Sequence, residues 1–321
     1  MRLKLLLALF LLLALFLGIT LLSPQWSVFE IQKENGDPVV ISDEKVTEDL
    51  PTVTMWRQDA EKGDAEAQCR LGALYFDGQG VPEDVTEAVK WFRKSAEQGH
   101  PVAQLILGHC ASAGSGVTKD AAEAVKWFRK AAEQGNGSAQ FELGLRYSHG
   151  RGVLKYYTKA VEWYRLAAEQ GETSAQVNLG QSYYRGEGVE KDVAKAVEWW
   201  REAASHGDTE ALKNLGKAAN KGSANAIDCL REAANRGNGD AQFLLAAIYR
   251  NGEGVSEDVV TAYKWANLAA ATGHEIKFKG YGSEIDAKRM RELLEKKMTP
   301  EQIAEAQKLS RNWKPRQRQG E

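Results

Sequence analysis

The sequence predicts an all-α chain, a solenoid of six helix-turn-helix repeats with N- and C-terminal capping helices. Three observations predict it. Gly63, Gly99, Gly135, Gly171 and Gly207 are spaced by 36 residues, with Gly237 after 30 and Gly273 after 36, and a fixed period of this length marks a repeat architecture. Counted from each starting Gly, the fourth residue is always Ala (Ala67, Ala103, Ala139, Ala175, Ala211, Ala241) and the eighth always Leu (Leu71, Leu107, Leu143, Leu179, Leu215, Leu245). A Gly-x-Gly turn follows in five repeats, at Gly78/Gly80, Gly114/Gly116, Gly150/Gly152, Gly186/Gly188 and Gly252/Gly254.

Composition agrees with an ordered chain. The 321 residues are 43% hydrophobic and 27% charged with only 7 Pro, and the net charge of −2 provides no general attraction to nucleic acid. Cys69, Cys110 and Cys229 are odd in number and lack CxxC spacing, so no disulfide framework, zinc site or redox pair is expected.

Residues 1–23 read as a signal anchor or signal peptide. Arg2 and Lys4 precede an uninterrupted apolar run from Leu5 to Leu22, which as a helix would reach ~27 Å against a hydrocarbon layer of ~30 Å. No Ala-x-Ala arrangement and no lipoprotein Cys follows the run. An uncleaved anchor is therefore preferred over a cleaved peptide, with the cations on the cytoplasmic side and the rest of the chain periplasmic or lumenal. Residues 24–50, with Asn35-Gly36-Asp37-Pro38 inside a short Val/Ile stretch, read as a linker.

Residues 51–62 read as an N-terminal capping helix, a lone second helix with Met55-Trp56 in the aromatic register. Residues 63–272 hold the six repeats. In each, positions four, eight and twelve share one face of a first helix, and Gly at position nine (Gly72, Gly108, Gly144, Gly180, Gly216) admits a close neighbour. The Gly-x-Gly supplies positive φ at the reversal, and a segment such as Pro82-Glu83-Asp84 starts the second helix. Ala88, Ala124, Ala160, Ala196 and Ala262, each three residues ahead of Trp91, Trp127, Trp163, Trp199 and Trp265, are expected to close the hairpin core with those indoles.

Ala65-Glu66-Ala67-Gln68, Leu71-Gly72, Tyr75, Gly78-Gln79-Gly80-Val81 and Ala88 through Gly99 resemble the Sel-one-like repeat, a relative of the tetratricopeptide repeat. The resemblance covers about two thirds of the chain. It implies a right-handed α-solenoid that serves as an adaptor for other proteins, sometimes in secretory compartments, and in some bacterial members as a neutraliser of a toxic effector. It does not imply catalysis.

Repeat five departs from the pattern. Six residues are missing between Gly207 and Gly237, Ala219-Asn220-Lys221-Gly222 replaces the Gly-x-Gly, and Cys229 stands in the Trp position. A hairpin shortened by about a turn and a half and a local bend are expected, with Cys229 a buried small hydrophobe. Residues 273–321 read as C-terminal capping helices and a basic tail. Asp286 to Lys297 forms a charged helix, and Thr299-Pro300-Glu301-Gln302 opens a last helix carrying Ile303, Ala306, Leu309 and Trp313 onto the final hairpin, ahead of Lys314, Arg316 and Arg318.

Chemistry is sparse. His100, His109, His149, His206 and His274 show no i+3 or i+4 pairing, and there is no Gly-x-Ser-x-Gly elbow or phosphate loop. Glu97, Glu133 and Glu169 recur in register, as structural carboxylates do. Asn136-Gly137-Ser138 is a chance-prone glycosylation sequon. No catalytic residue, cofactor or metal ligand is assigned, and a non-enzyme is expected.

Positions six, ten and thirteen of the first helices line the concave groove in tetratricopeptide-like solenoids. Here they are apolar in the middle and cationic at repeat five. The regular Leu105, Phe141, Val177 and Phe243 suit packing between repeats. The less repetitive Phe76, Leu145, Tyr184, Lys213, Lys217 and Arg250 are the expected protein-binding residues, facing an amphipathic or acidic segment. Two functions fit: a membrane-tethered protein–protein interaction scaffold, or an inhibitor such as an immunity protein that occupies a secreted effector.

Overall fold

In a computed structural model, residues 51–272 and 286–315 are described, and they form fifteen α-helices. Helix α1 (Pro51–Glu61) precedes six hairpins: α2 (Ala65–Asp77) with α3 (Val85–Glu97), α4 (Pro101–Ala113) with α5 (Ala121–Glu133), and α6 (Gly137–His149) with α7 (Tyr157–Glu169). Then come α8 (Thr173–Arg185) with α9 (Val193–Ser205), α10 (Thr209–Asn220) with α11 (Ala224–Asn235), and α12 (Gly239–Asn251) with α13 (Val259–Ala271). Helices α14 (Ala287–Glu295) and α15 (Pro300–Asn312) end the array. Each helix from α1 to α13 packs on the next, and α15 packs back on α13, so the described chain is an α-solenoid. The expected signal anchor and linker, with His274, Arg316 and Arg318, lie outside the described residues. Among the described residues, no helix is long and apolar enough to cross a membrane.

The helix starts are fixed by side chains. Asp64, His100, Asn136, Asp208 and Asn238, each directly after an inter-repeat Gly, accept a hydrogen bond from the backbone N–H three residues on. Asn136 of the sequon is thus occupied as a cap. Second helices are capped by Asp84, Asp120, Asp192 and Asp258, whereas Tyr156 gives α7 no side-chain cap. The first Gly of each Gly-x-Gly ends its helix in the left-handed region, as Gly78 does at φ 67° with its N–H on Leu74 O. The second approaches the preceding hairpin: a β-carbon on Gly116 would stand 2.6 Å from Val85 O.

The core follows the Ala/Leu stripe, with Ala67, Leu71, Ala139, Leu143, Ala175 and Leu179 wholly buried. In the first four hairpins the aromatic that closes the core is the residue after the expected Trp. Phe92, Phe128, Tyr164 and Trp200 are buried, and each faces Gly at position nine, where a β-carbon would lie 2.5–2.8 Å from the ring. Trp91, Trp127 and Trp265 are buried beside them, but Trp163 and Trp199 are only half-buried. The preceding Trp therefore sits on the flank of the second helix, where Lys94 covers Trp91 at 3.8 Å and Lys130 covers Trp127 at 4.4 Å.

Repeat five corrects two expectations. Both of its helices are whole, at 12 residues each against 13 in the other repeats, so neither frays nor loses a turn and a half. Most of the deletion falls in the connection, which shrinks to Lys221-Gly222-Ser223, with Ser223 capping α11. Helix α10 then packs on α12 as well as on α11, and Gly216 faces Leu244 of α12. Cys229 is half-buried, not buried as expected, because α9 and α11 leave a cleft around it.

At the C-terminal end, Asp286 caps α14, and Thr299 with Gln302 forms a capping box at α15. Ala306 is buried, and Ile303 and Trp313 pack on the last hairpin. Leu309, expected on that face, is 42% exposed, and Ser310 is buried instead, its hydroxyl on Ala306 O at 2.9 Å.

Candidate protein-binding surface

Two polar ladders hold the repeats in register. At position five, buried Gln68, Gln104, Gln140, Gln176 and Gln242 each donate from Nε2 to a carbonyl eight residues back, at Ala60, Ala96, Ala132, Ala168 and Ala234, over 3.0–3.3 Å. The Oε1 of the first three accepts from Gln98, Gln134 and Gln170 of the following turn at 2.7–2.8 Å. Gln176 and Gln242 lack that donor, because His206 and Thr272 stand in its place, and their Oε1 atoms are buried without a partner. Repeat five has Leu212 at position five, wholly buried. The second ladder joins a second-helix Arg to the next Tyr hydroxyl: Arg57 to Tyr75, Arg129 to Tyr147, Arg165 to Tyr183 and Arg231 to Tyr249, at 2.7–3.1 Å.

Within this frame the six expected binding residues are not all free. Phe76 packs on Phe92 with ring centroids 6.4 Å apart, and Tyr184 on Trp200 at 5.3 Å. The Tyr184 hydroxyl is buried without a partner, and Lys221 lies 5.3 Å from its ring. Leu145 is half-buried against the core that includes Tyr164. Lys213 and Lys217 stand 3.3 Å and 3.9 Å from Glu210 of their own helix, which offsets part of the expected cationic character. Arg250 contacts Met290 Sδ of α14 at 3.4 Å and so joins the C-terminal cap to the array. Leu105, Val177 and Phe243 are buried, whereas Phe141 is half-buried on Tyr164.

The ionisable groups are tuned by burial. Desolvation, with Glu66 nearby, pushes the Cys69 thiol up to about 12, and burial raises Cys110 to about 11. The His109 ring meets Phe128 edge-on at 5.1 Å, and its imidazole is held below its usual range by burial. His100 accepts the Ala103 N–H at Nδ1 and donates Nε2–H to Glu66 at 2.8 Å, so it caps α4 and bridges two repeats. No group of three or more His, Cys, Asp or Glu that could hold a metal occurs among the described residues.

Sequence reasoning missed one exposed feature. In repeat three the segment that ends in Asp elsewhere is Val153-Leu154-Lys155-Tyr156, and Leu154 is 90% and Tyr156 51% exposed. The signal was the absence of an N-cap Asp before Tyr157.

A model of the Sel1 repeat matches residues 65–100, 101–136, 137–172, 173–208 and 239–274, more than half of the sequence. The chain belongs to the Sel1 repeat family. Repeat five, with its shortened connection, falls between the matched segments. The chain is similar to c5321, a protective antigen of uropathogenic Escherichia coli strains, at 34% identity over 81% of this chain with a TM-score of 0.61. It spans 56% of that protein's length. A Sel1 repeat protein from Oxalobacter formigenes is 38% identical over 68% of this chain and 93% of its own, with a TM-score of 0.53. The immunity protein PA5088 from Pseudomonas aeruginosa aligns at 20% identity over 74% of this chain and 84% of its own, with a TM-score of 0.36, too low to carry a functional argument. No curated protein matches the chain.

Proposed function

We propose that the protein is a non-catalytic scaffold that binds other proteins outside the cytoplasm and is tethered to a membrane through residues 1–23. The observation that supports it best is the array itself: five Sel1 repeats in register whose polar groups are largely committed to neighbouring repeats. The proposed contact surface runs along Leu145, Tyr184, Lys213 and Lys217, and extended solenoid surfaces of this kind serve as binding faces. Export and tethering rest on Arg2, Lys4 and the apolar run to Leu22.

Affinity purification from detergent-solubilised membranes tests the reading. Recovery of several resident membrane or envelope proteins is expected. A single stoichiometric secreted toxin would make the protein an inhibitor instead, and no partner at all would remove both. A reporter active only in the periplasm or lumen, fused after Glu321, should be active, and the protein should resist carbonate extraction. A soluble product beginning near Trp26 would replace the tether with a cleaved signal.

A further inference from the structure

The regular repeats provide an internal control for the irregular one. In five repeats a Trp occupies the flank of the second helix, and in repeat five that position is Cys229. Cys229 borders an open cleft of about 600 Å³ between α9 and α11, lined also by Arg201, Glu202, Glu232, Arg236 and Asn238.

Its charge is set by a second substitution. Arg57, Arg129, Arg165 and Arg231 each donate to the Tyr eighteen residues on. The Tyr that would serve Arg201 is Ala219. Arg93, likewise facing Ala111, is rescued by Glu123 at 3.2 Å, but Arg201 makes no hydrogen bond or ion pair among the described residues. Of the other charges in the cleft, Glu232 pairs with Arg236, and Glu202 stands 3.9 Å from His206 of its own helix end. Beside Cys229 the cleft therefore holds a guanidinium with no hydrogen-bond or ion-pair partner of its own, a group suited to a carboxylate.

We infer that the cleft between α9 and α11 is a docking slot for an aromatic side chain of a protein partner, with a carboxylate of the same segment on Arg201. The inference rests on the scaffold reading and gives it a recognition element: the partner supplies in trans the aromatic group that the other repeats carry in cis. Aromatic anchors in fitted pockets carry much of the energy of such interfaces.

The test uses the full-length protein and N-acetyl-L-tryptophan, which carries ring and carboxylate, with N-acetyl-L-tryptophanamide as the control lacking the charge. Titration calorimetry should show saturable binding of the acid, at least tenfold weaker binding of the amide, and an acid affinity reduced to the amide's in Arg201→Ala. The acid should also slow modification of Cys229 by a disulfide reagent at least fivefold, a clean readout because Cys69 and Cys110 are buried. Cys229→Trp, which installs the residue of the other repeats, and Cys229→Met as a second filling variant should abolish binding without lowering the melting temperature.

The inference is overturned if the acid does not saturate, if the amide binds equally, or if a folded filling variant binds like the wild type. Pro315 approaches Gly237 at the cleft's edge, so the chain's own tail is the competing occupant. A tenfold gain in probe affinity on removal of residues 315–321 would assign the slot to the tail and overturn the partner. The titration needs no cellular partner, so its failure leaves the scaffold reading standing; that reading falls only on the purification result.

Discussion

Gly180 faces the indole of Trp200 so closely that a β-carbon there would stand 2.5 Å from Nε1, the atom that donates to Val177 O at 3.1 Å. Gly180→Ala should therefore push the ring out of a wholly buried position and strain that hydrogen bond. A loss of about 1–3 kcal/mol is expected, as for other overpacked cores, measured by urea unfolding. Gly216→Ala is the contrast. Its β-carbon would meet Leu244 Cδ2 at 3.0 Å, the end of a flexible side chain, and the helix gains about 1 kcal/mol of propensity from Ala over Gly. Its stability should stay near that of the wild type, and an equal loss at both sites would refute the close-approach explanation.

The interrupted glutamine ladder predicts a stabilising change. His206→Gln would place an Nε2 donor where Gln98, Gln134 and Gln170 have theirs, opposite the unpartnered Gln176 Oε1. A gain of about 0.5–1.5 kcal/mol is expected from satisfying a buried acceptor. Gln140→Ala should do the reverse, losing the bond to Ala132 O and leaving Gln170 Nε2 without its closer acceptor. Paired thermal melts of the two variants decide whether the ladder contributes in this way.

His109 predicts the pH response. Burial against Phe128 lowers its affinity for a proton, with Glu142 opposing and Arg146 reinforcing the shift. The unfolded chain then binds a proton at a higher pH than the folded one, so this contribution is whole above the unfolded value of about 6.5 and is lost as pH falls toward the folded value. His109→Gln should flatten the fall in stability between about pH 7.5 and pH 5. An unchanged slope in urea titrations at both pH values would remove His109 as its source.

Tyr184 separates binding from stability. Because its ring packs on Trp200 and its hydroxyl is buried without a partner, Tyr184→Phe should leave the melting temperature unchanged or slightly raised. Tyr184→Ala should lower it, by a cavity cost of about 3–5 kcal/mol at most. Partner affinity should likewise be unchanged in Tyr184→Phe, since a hydroxyl buried from solvent is out of a partner's reach.

The repeat period, the Ala/Leu stripe, the Asp caps and the Thr299 capping box were legible in the sequence because each is a local pattern: a helix face repeats every three or four residues, and a cap acts within three. The closing aromatic was not. Trp91 and Phe92 are adjacent and both large and apolar, and only the approach of Gly72 shows that Phe92 points into the hairpin. The site was less legible still. Arg250 and Lys213 look like free surface cations in the sequence, yet Met290 and Glu210 meet them across or along helices. Arg201 looks like one Arg of a regular series, and the lack of a Tyr at Ala219, eighteen residues away, leaves it unpaired.

The sequence by itself determined that this chain is a helical repeat array and where its six repeats begin, since those features rest on short-range backbone and packing rules that recur in register. Tertiary structure alone decided that the deletion in repeat five comes mainly out of a loop and leaves both helices intact. It also decided that Cys229 borders a cleft and that Arg201 stands beside it without a hydrogen-bond or ion-pair partner. Those properties depend on which helices approach one another, and the distance between neighbouring surfaces is set by packing across some thirty residues of chain, beyond the reach of any local pattern.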